Sequence, residues 1–511
     1  MKLIVQISFC VILFSACSQG EEKVSGTKHQ KGARVIFNGL ESFRDTSLAP
    51  FYHGLASGDP LPTAVIIWTR ITPEFHQPVE VFWEMYADAE MKKIVQTGKT
   101  TTNAECDYTV KVDVTGLEPA KYYYYRFKAF GIISKLARTK TAPVKEVKHL
   151  RLAFASCSNY AWGYFNAYKL MSQDTLDAVI HLGDYIYEHE QNVYESNLID
   201  RKHLPNKEIL ALKDYRTRYA QYRLDKDLQA AHENHPFITV WDDHELANNA
   251  YDEGAGNHQE NEGDWKTRLA IAKKVYYEWM PVREENNTLY RSFTYGDLAE
   301  LIMLDTRTEG RNKQVSMNEK SVNDTSRKII NQKHYNWVVN ELQKPVKWKL
   351  IGNQVLMGSL NIFFSKVSQK YDDGWDDYPY QQQKLMKVVN EIPNILFLTG
   401  DFHSSFYLQN IYKGKFASNE IVVPSITSAN YDEDLGLDSA KIYTKWYTNA
   451  NTNLKYVNLI DHGYLVLDIN EKRIKPMFKF VDNVIKPEFN WMQVELKSIP
   501  LNDSYSYPSK R

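Results

Sequence analysis

The chain is poor in cysteine, in surplus charge and in long apolar runs. Four cysteines occur in 511 residues: Cys10, Cys17, Cys106 and Cys157. So few cannot build a disulfide-stapled scaffold, and a chain of this length can bury a large core across more than one domain without one. Basic and acidic side chains number 62 and 63, giving a formal net charge of −1. Without a basic excess to neutralise phosphates, no nucleic-acid-binding surface is indicated. The apolar stretch from Leu3 to Phe14 is too short for a comfortable membrane span. No internal repeat is evident. Aromatics are plentiful at 13%, with 34 Tyr and 11 Trp, and read first as packing material.

The first residues carry Lys2, the apolar stretch, and then Ser15-Ala16-Cys17. A charged start, an apolar centre and small residues before a cysteine resemble a bacterial lipoprotein signal. Residues 1–17 are then a signal ending at a lipidated Cys17, which places the protein outside the cytoplasm, periplasmic or outer-membrane-associated and held to a membrane by lipid. An ordinary signal peptide cut nearby is the alternative. Residues 18–45 are polar and Gly/Ser/Lys-rich and read as a flexible tether. Cys106 and Cys157 remain for the folded part, where an oxidising compartment would let them pair unless Cys157 is otherwise engaged.

Residues 46–145 show AVIIWTRI, VEVFWEMYA, YTVKVDVTGL and KYYYYRFKAF, strands punctuated by Asp59-Pro60 and Gly116. Short strands at that spacing predict a β-sandwich serving as a structural or docking module. From Leu150 onward apolar strands alternate with helical segments, which predicts an α/β or layered α+β domain over 148–490. Its six strands are LRLAFASC, TLDAVIHLGD, PFITVWDDHE, AELIMLDTR, KLIGNQVLMG and NILFLTGDFH. Helices are predicted around WGYFNAYKLMSQ, LKDYRTRYAQYRLDKDLQAAH, DWKTRLAIAKKVYYEWM and HYNWVVNELQ. SVNDTSRK and VSQKYDDGWDDYPY read as loops rimming a site, and 491–511 as a C-terminal tail.

The organising stretch is AVIHLGDYIYE, Ala178 to Glu188: a buried strand, a glycine turn at Gly183, and then Asp184 and Tyr187. Other strands end alike. Cys157 closes the first; Asp242, Asp243, His244 and Glu245 close the third, with Asn248 and Asn249 just beyond; Asp401 and His403 close the sixth. Singly, each has an ordinary reading: a buried cysteine as a small hydrophobe, an acidic pair as a helix cap, His403 as a core histidine. Jointly they predict hard oxygen donors, an imidazole, a thiol and a phenol gathered on one edge of one sheet. Buried charges are costly unless paired or metal-bound, and a polynuclear metal centre would satisfy them together. Thiolate with phenolate suits ferric iron or a similar ion; carboxylates and an amide suit calcium beside it, with Asp184 able to bridge.

FYHGLASGDP with IIWTRITP, then FASCSNYAWGYFNAY, HLGDYIYE, WDDHELANN, YYEWMPVR and GDFHS, resemble the alkaline phosphatase D family of metallophosphoesterases over residues 45 to 470. The resemblance implies a fibronectin III-like β-sandwich, then a four-layer αββα catalytic domain with an Fe3+ and Ca2+ centre. It makes Cys157, Asp184, Tyr187, Asp243, Asp401 and His403 metal-site residues and puts a calcium ligand at Asn248 or Asn249. His244 falls where the superfamily contacts the phosphate or protonates the leaving group. Arg307, in MLDTRTEGR with Asp305, falls in a family-like stretch where it could clamp a phosphate oxygen. The implied activity is hydrolysis of phosphate esters, mono- or diesters, by a metal-activated hydroxide, on small molecules or on phosphodiester polymers and lipids. A phospholipase- or teichoic-acid-type diesterase is one alternative, and a non-catalytic lipoprotein binding ligand through its β-sandwich another. The chain departs from the family in lacking an Arg-Arg pair before the apolar run, and in reading Gly-Asp-Phe-His where many superfamily members have Gly-His-x-His.

The iron assignment makes an optical prediction. Ferric iron on thiolate or phenolate absorbs visible light, so the iron-loaded protein is expected to be coloured. Tyr187→Phe is expected to shift or bleach the band. A colourless, active, iron-free protein would refute the assignment.

Overall fold

The computed structural model describes residues 33–35, 39–284, 288–315, 320–363 and 368–502. The expected signal, Cys17, most of the tether and residues 503–511 lie outside the described residues. Among the described residues no helix is long and apolar enough to cross a membrane.

The N-terminal unit contains β1 (Leu55–Leu61), β2 (Ala64–Arg70), β3 (Val79–Tyr86), β4 (Ile94–Thr102), β5 (Thr109–Thr115), β6 (Tyr122–Ala129), β7 (Ile132–Ile133) and β8 (Ala137–Lys140). β3 alternates as far as Met85, with Val79, Val81, Trp83 and Met85 inward. Those side chains meet Val65, Ile67, Val110 and Val114 from the facing sheet in one apolar core, so the unit is a β-sandwich. β3, β4, β6, β7 and β8 form a sheet of their own, but the facing sheet of β1, β2 and β5 does not stand apart from the rest. β1 pairs antiparallel with β2, and on its other side pairs in parallel with β11 (Pro236–Thr239), Ser57 opposite Pro236 and Gly58 opposite Phe237.

The sheet containing β1 therefore continues into the larger C-terminal unit, through β11, β10 (Ala178–His181) and β9 (His149–Ala155) to β21 (His462–Asn470), β22 (Arg473–Val481) and β23 (Trp491–Glu495), with β24 (Ile499–Pro500) also on β22. Residues 491–495 and 499–500, expected in a tail, are thus sheet strands. The dipeptide Asp59-Pro60, expected as a turn, lies inside β1. Asp59 takes a φ of 43°, the register shifts between Gly58 and Leu61, and the buried carboxylate is held by Arg291 at 2.7 Å. A tertiary ion pair thus stabilises what the local sequence reads as a break.

A second sheet runs in the order β12 (Arg291–Tyr295), β13 (Ala299–Met303), β14 (Trp348–Asn353), β17 (Ile395–Thr399), β19 (Lys415–Val422), β18 (Ser405–Tyr412) and β20 (Leu454–Asn458). β15 (Asn361–Phe363) and β16 (Ser368–Lys370) form a separate hairpin. Along β17, Leu396 and Leu398 join the core shared with the first sheet, and Ile395 and Phe397 face the helices α5 (Gln332–Leu342) and α6 (Pro379–Glu391). α1 (Asn166–Ser172), α2 (Leu212–Arg223), α3 (Lys226–Asn234) and α4 (Trp265–Trp279) cover the first sheet, completing the four αββα layers. The single helix predicted over 212–232 breaks into α2 and α3, because the Asp225 carboxylate accepts from the Asp227 and Leu228 amides and starts a new helix. α6 lies partly in the region predicted as loop. α7 (Tyr431–Leu435) and α8 (Leu437–Ala450) pack on β18 and the β15 hairpin.

Candidate metal centre

Four strand ends from two sheets converge. Cys157 follows β9, Asp184 follows β10 and Asp242 to Glu245 follow β11, all in the first sheet; Asp401 and His403 follow β17 in the second. The expectation of a single sheet edge is corrected here: the site lies between two facing sheets, because apolar strand runs do not record which sheet a strand joins.

The corners are sharp. Cys157, Asp184, Asp401 and His403 have φ of 59°, 57°, 62° and 64°, and Asn249 has 56°. Non-glycine residues avoid this region, and such backbones gather at functional sites where the surroundings over-determine them. Gly183 has φ 119°, and a Cβ there would lie 2.3 Å from the Asp242 Cβ. Only glycine lets the β10 and β11 turns come this close. The Cys157 amide donates to the Gly183 carbonyl at 3.1 Å, and the Ser158 amide to that of Asp184 at 2.8 Å. Buried Glu245 ties the same turns by accepting from the amides of Asp184 (3.0 Å), Tyr185 (2.6 Å) and Asp242 (2.9 Å).

Four donor groups overlap within this space, one of them Glu188, His189 and His244. Cys157, Asp184 and His403 bring ligand atoms within 4.8 Å of one another, as do Asp184, Asp243 and His244, and Asp242, Asp243 and Asp401. Asp184 and Asp243 are shared between adjoining groups. The Tyr187 hydroxyl donates to Asp184 Oδ2 at 3.1 Å, lies 3.4 Å from His403 Nε2 and accepts from Ser428 Oγ at 2.6 Å. His403 Nδ1 is 3.0 Å from the Ala429 carbonyl, which as a donor contact leaves Nε2 free to ligate. Burial and the neighbouring His244 cation hold His403 down at about 4, a neutral imidazole at ordinary pH.

His244 Nδ1 contacts Glu188 Oε2 at 2.7 Å. Glu188 is fully buried and also accepts from the Asn248 amide (2.8 Å) and Asn257 Nδ2 (2.9 Å). Burial alone would lower the His244 pKa, but Glu188, Asp184 and Asp243 outweigh it and raise it well above the ordinary imidazole range. Asn248 and Asn249 enter through their backbones: the Asn249 amide donates to Asp243 Oδ2 at 2.6 Å.

Arg307, expected as a phosphate clamp, is fully buried among carboxylates. Its Nε meets Asp242, and its Nη2 lies 2.8 Å from Asp373, 3.5 Å from Asp401 and 3.6 Å from Asp243. In this structure it is the counter-charge of the acidic cluster. Asp305 lies outside the donor set; it accepts from Trp241 Nε1 at 3.0 Å and from the Arg307 and Thr308 amides. The disulfide between Cys106 and Cys157 that an oxidising compartment would permit is not formed: both thiols are free, Cys106 contacting Thr102 in the sandwich.

Sequence reasoning gave no role to Glu188, Tyr371 or Asp373. Glu188 closes the AVIHLGDYIYE stretch, where its acid so near Asp184 is the signal that could have found it. Tyr371, whose hydroxyl donates to Asp401, and Asp373 come from the loop predicted only as a rim.

The donor set fits cations. Asp242 Oδ2 and Asp243 Oδ1 are buried with no hydrogen-bond partner among the described residues. Burial, opposed by His244 and reinforced by the neighbouring acids, raises the Asp184 pKa well above the carboxylate range; burial and Asp243 do the same at Asp242 against Arg307. Burial and Asp373 push Asp401 up to about 7. Burial and the Asp184 charge raise the Cys157 thiol and the Tyr187 phenol too. Carboxylates, a thiol, a phenol and a neutral imidazole this crowded are what a cation cluster neutralises.

Fold and site together define a layered αββα protein with a buried centre suited to cations. Residues 152–478 match the PhoD-like phosphatase family, and residues 39–143 match the PhoD-like phosphatase N-terminal domain. The chain belongs to the PhoD-like phosphatase family. It is 35% identical to alkaline phosphatase D of Bacillus subtilis (strain 168) over 504 residues, covering 92% of this chain and 84% of that one. The solved structure titled "Structure of PhoD" superposes with a TM-score of 0.80 at 31% identity, covering 90% of this chain and 94% of that one.

Removing cations exposes a linkage. In the metal-free native state Asp401 is held at about 7 and Glu245 at about 8, above their ordinary values of 3.8 and 4.5. Native protein then binds more protons than unfolded protein between the ordinary and the raised values, so stability falls as pH rises through that window. Chelator-treated protein is expected to melt at a lower temperature at pH 8 than at pH 6, and restoring metal at pH 8 is expected to recover the difference. Equal melting temperatures with and without metal at pH 8 would show that the carboxylates are not the metal's partners.

Proposed function

We propose that this protein is an exported, metal-dependent phosphoesterase, tethered through lipid on Cys17, that hydrolyses phosphate mono- or diesters. The observation that carries the metal reading is the sharing of Asp184 and Asp243 between adjoining donor groups. Cys157, Tyr187, Asp184 and His403 suit ferric iron, and Asp184, Asp242, Asp243 and Asp401 suit calcium beside it. When bound, such cations lower the pKa of water and polarise phosphoryl oxygens.

The chain's own part centres on His244. Glu188 holds its Nδ1, so Nε2 is the atom that holds a proton for the leaving oxygen. The Tyr187 ring lies 4.2 Å from the imidazole, centroid to centroid, and fixes its plane. Arg307 balances the carboxylates from behind rather than gripping substrate. Export and lipidation rest on the Lys2 to Cys17 pattern.

His244→Ala is expected to keep its metal and to lose about 10²–10⁴-fold in turnover on esters with poor leaving groups, and much less on p-nitrophenyl esters, whose leaving group needs no proton. Equal losses on both would remove the proton-donor role. Rates on bis(p-nitrophenyl) phosphate against p-nitrophenyl phosphate assign diesterase or monoesterase preference. Palmitate labelling that persists in Cys17→Ser would remove the lipid anchor.

A further inference from the structure

The N-terminal sandwich leaves one apolar feature that its fold does not use. β6 and β7 are joined by Phe130-Gly131, with Ala129 paired to Ile132. Both turn residues have positive φ, 52° and 78°, the signature of a type I′ hairpin turn. That turn favours Asn-Gly, and a phenylalanine there is strained for no packing return, since Phe130 is 51% exposed. Ile132 and Ile133 beside it are 48% and 49% exposed. Three large apolar side chains thus project from a rigid tip.

The tip continues into an exposed row across the outer face. The register places Ile133 opposite Lys128, Lys128 opposite Phe82, and Phe82 opposite Lys99. Apolar and cationic side chains alternate along it. The neighbouring acids are paired, Glu80 with Lys99 at 2.8 Å and Glu84 with Arg126 at 2.6 Å.

The same end of the sandwich receives the chain from its N-terminus. The Val35 amide donates to the Glu74 carbonyl at 3.1 Å, and the His76 amide to that of Ala33 at 2.9 Å. Arg34 and Val35 line a groove together with Phe130 and Ile132. Cys17 and Ala33 are sixteen positions apart, so an anchor on Cys17 would keep this end within about 55 Å of the membrane even at full extension.

We propose that the outer face of the N-terminal sheet docks on an anionic lipid surface, with Phe130, Ile132 and Ile133 entering the interface and Lys128 facing headgroups. Apolar insertion combined with cations is the chemistry that such surfaces recognise. The contact uses the tip's own side chains, so it stands or falls separately from lipidation of Cys17.

The test is hydrogen exchange of the full chain on vesicles of phosphatidylglycerol and phosphatidylcholine. Amides 128–134 are expected to exchange about tenfold more slowly on vesicles than in solution. The F130S/I132S/I133S variant is expected to lose that protection while hydrolysing a water-soluble phosphate ester at the original rate. Lys128→Glu, which leaves the apolar tip intact, is expected to weaken it. Unchanged exchange in vesicle-attached protein overturns the proposal. Protection that grows with protein concentration without vesicles also overturns it and assigns the face to a second copy of the chain. Equal protection on pure phosphatidylcholine overturns the charge requirement.

Discussion

The structure turns on one electrostatic constraint: several carboxylates are buried together where few cations of the protein can balance them. Asp184, Asp242, Asp243 and Asp401 converge from three strand ends, and Arg307 is the guanidinium placed among them. Like charges held this close in a dry site repel, and burial raises the pKa values of Asp184, Asp242 and Asp401, while Arg307 and His244 outweigh it and lower that of Asp243. The native arrangement tolerates this because the backbone leaves the side chains little choice. The left-handed corners, the missing Cβ at Gly183 and the Glu245 carboxylate on three amides lock the turns before any cation is considered. Such preorganisation gives a phosphoester hydrolase donors already aimed where charge will sit.

That rigidity extends beyond the catalytic layer. The sandwich shares a sheet with it through β1 and β11, and Gly58 sits where a Cβ would lie 2.2 Å from the Pro281 carbonyl oxygen. Trp68 donates to the Glu278 carbonyl at 2.8 Å, and Lys111 contacts the Tyr277 carbonyl, so the sandwich also holds the end of α4. β11 carries the Asp242–Glu245 turn at its far end. The N-terminal unit therefore steadies the strand that presents these acids, besides any docking role of its outer face.

The sequence disclosed much of this for a definite reason. Strands β9, β10, β11, β13, β14 and β17 are buried, so they appear as apolar runs, and the groups that follow them stand out as ionisable residues in costly places. Cys157, Asp184, Tyr187, Asp243, His244, Asp401 and His403 were all visible in that way. Glu188 was missed although its closeness to Asp184 in sequence offered a signal, because its partner, the His244 imidazole, is distant in sequence. Tyr371 and Asp373 were hidden because their loop has no periodicity to interpret.

Local chemistry along the chain thus determined which strands exist, which turns carry ionisable groups and what kind of ligand those groups suit. Tertiary structure alone decided that the six strands belong to two facing sheets, that β1 runs through Asp59-Pro60, and that Arg307 is buried as a counter-ion. Each of these is settled by a partner far away in sequence: Arg291 for Asp59, Phe237 for Gly58, Asp242 and Asp373 for Arg307. A residue's own neighbours fix its backbone preference and polarity. Whether its charge is solvated, paired or shared with a cation depends on which distant segments the packed core brings against it.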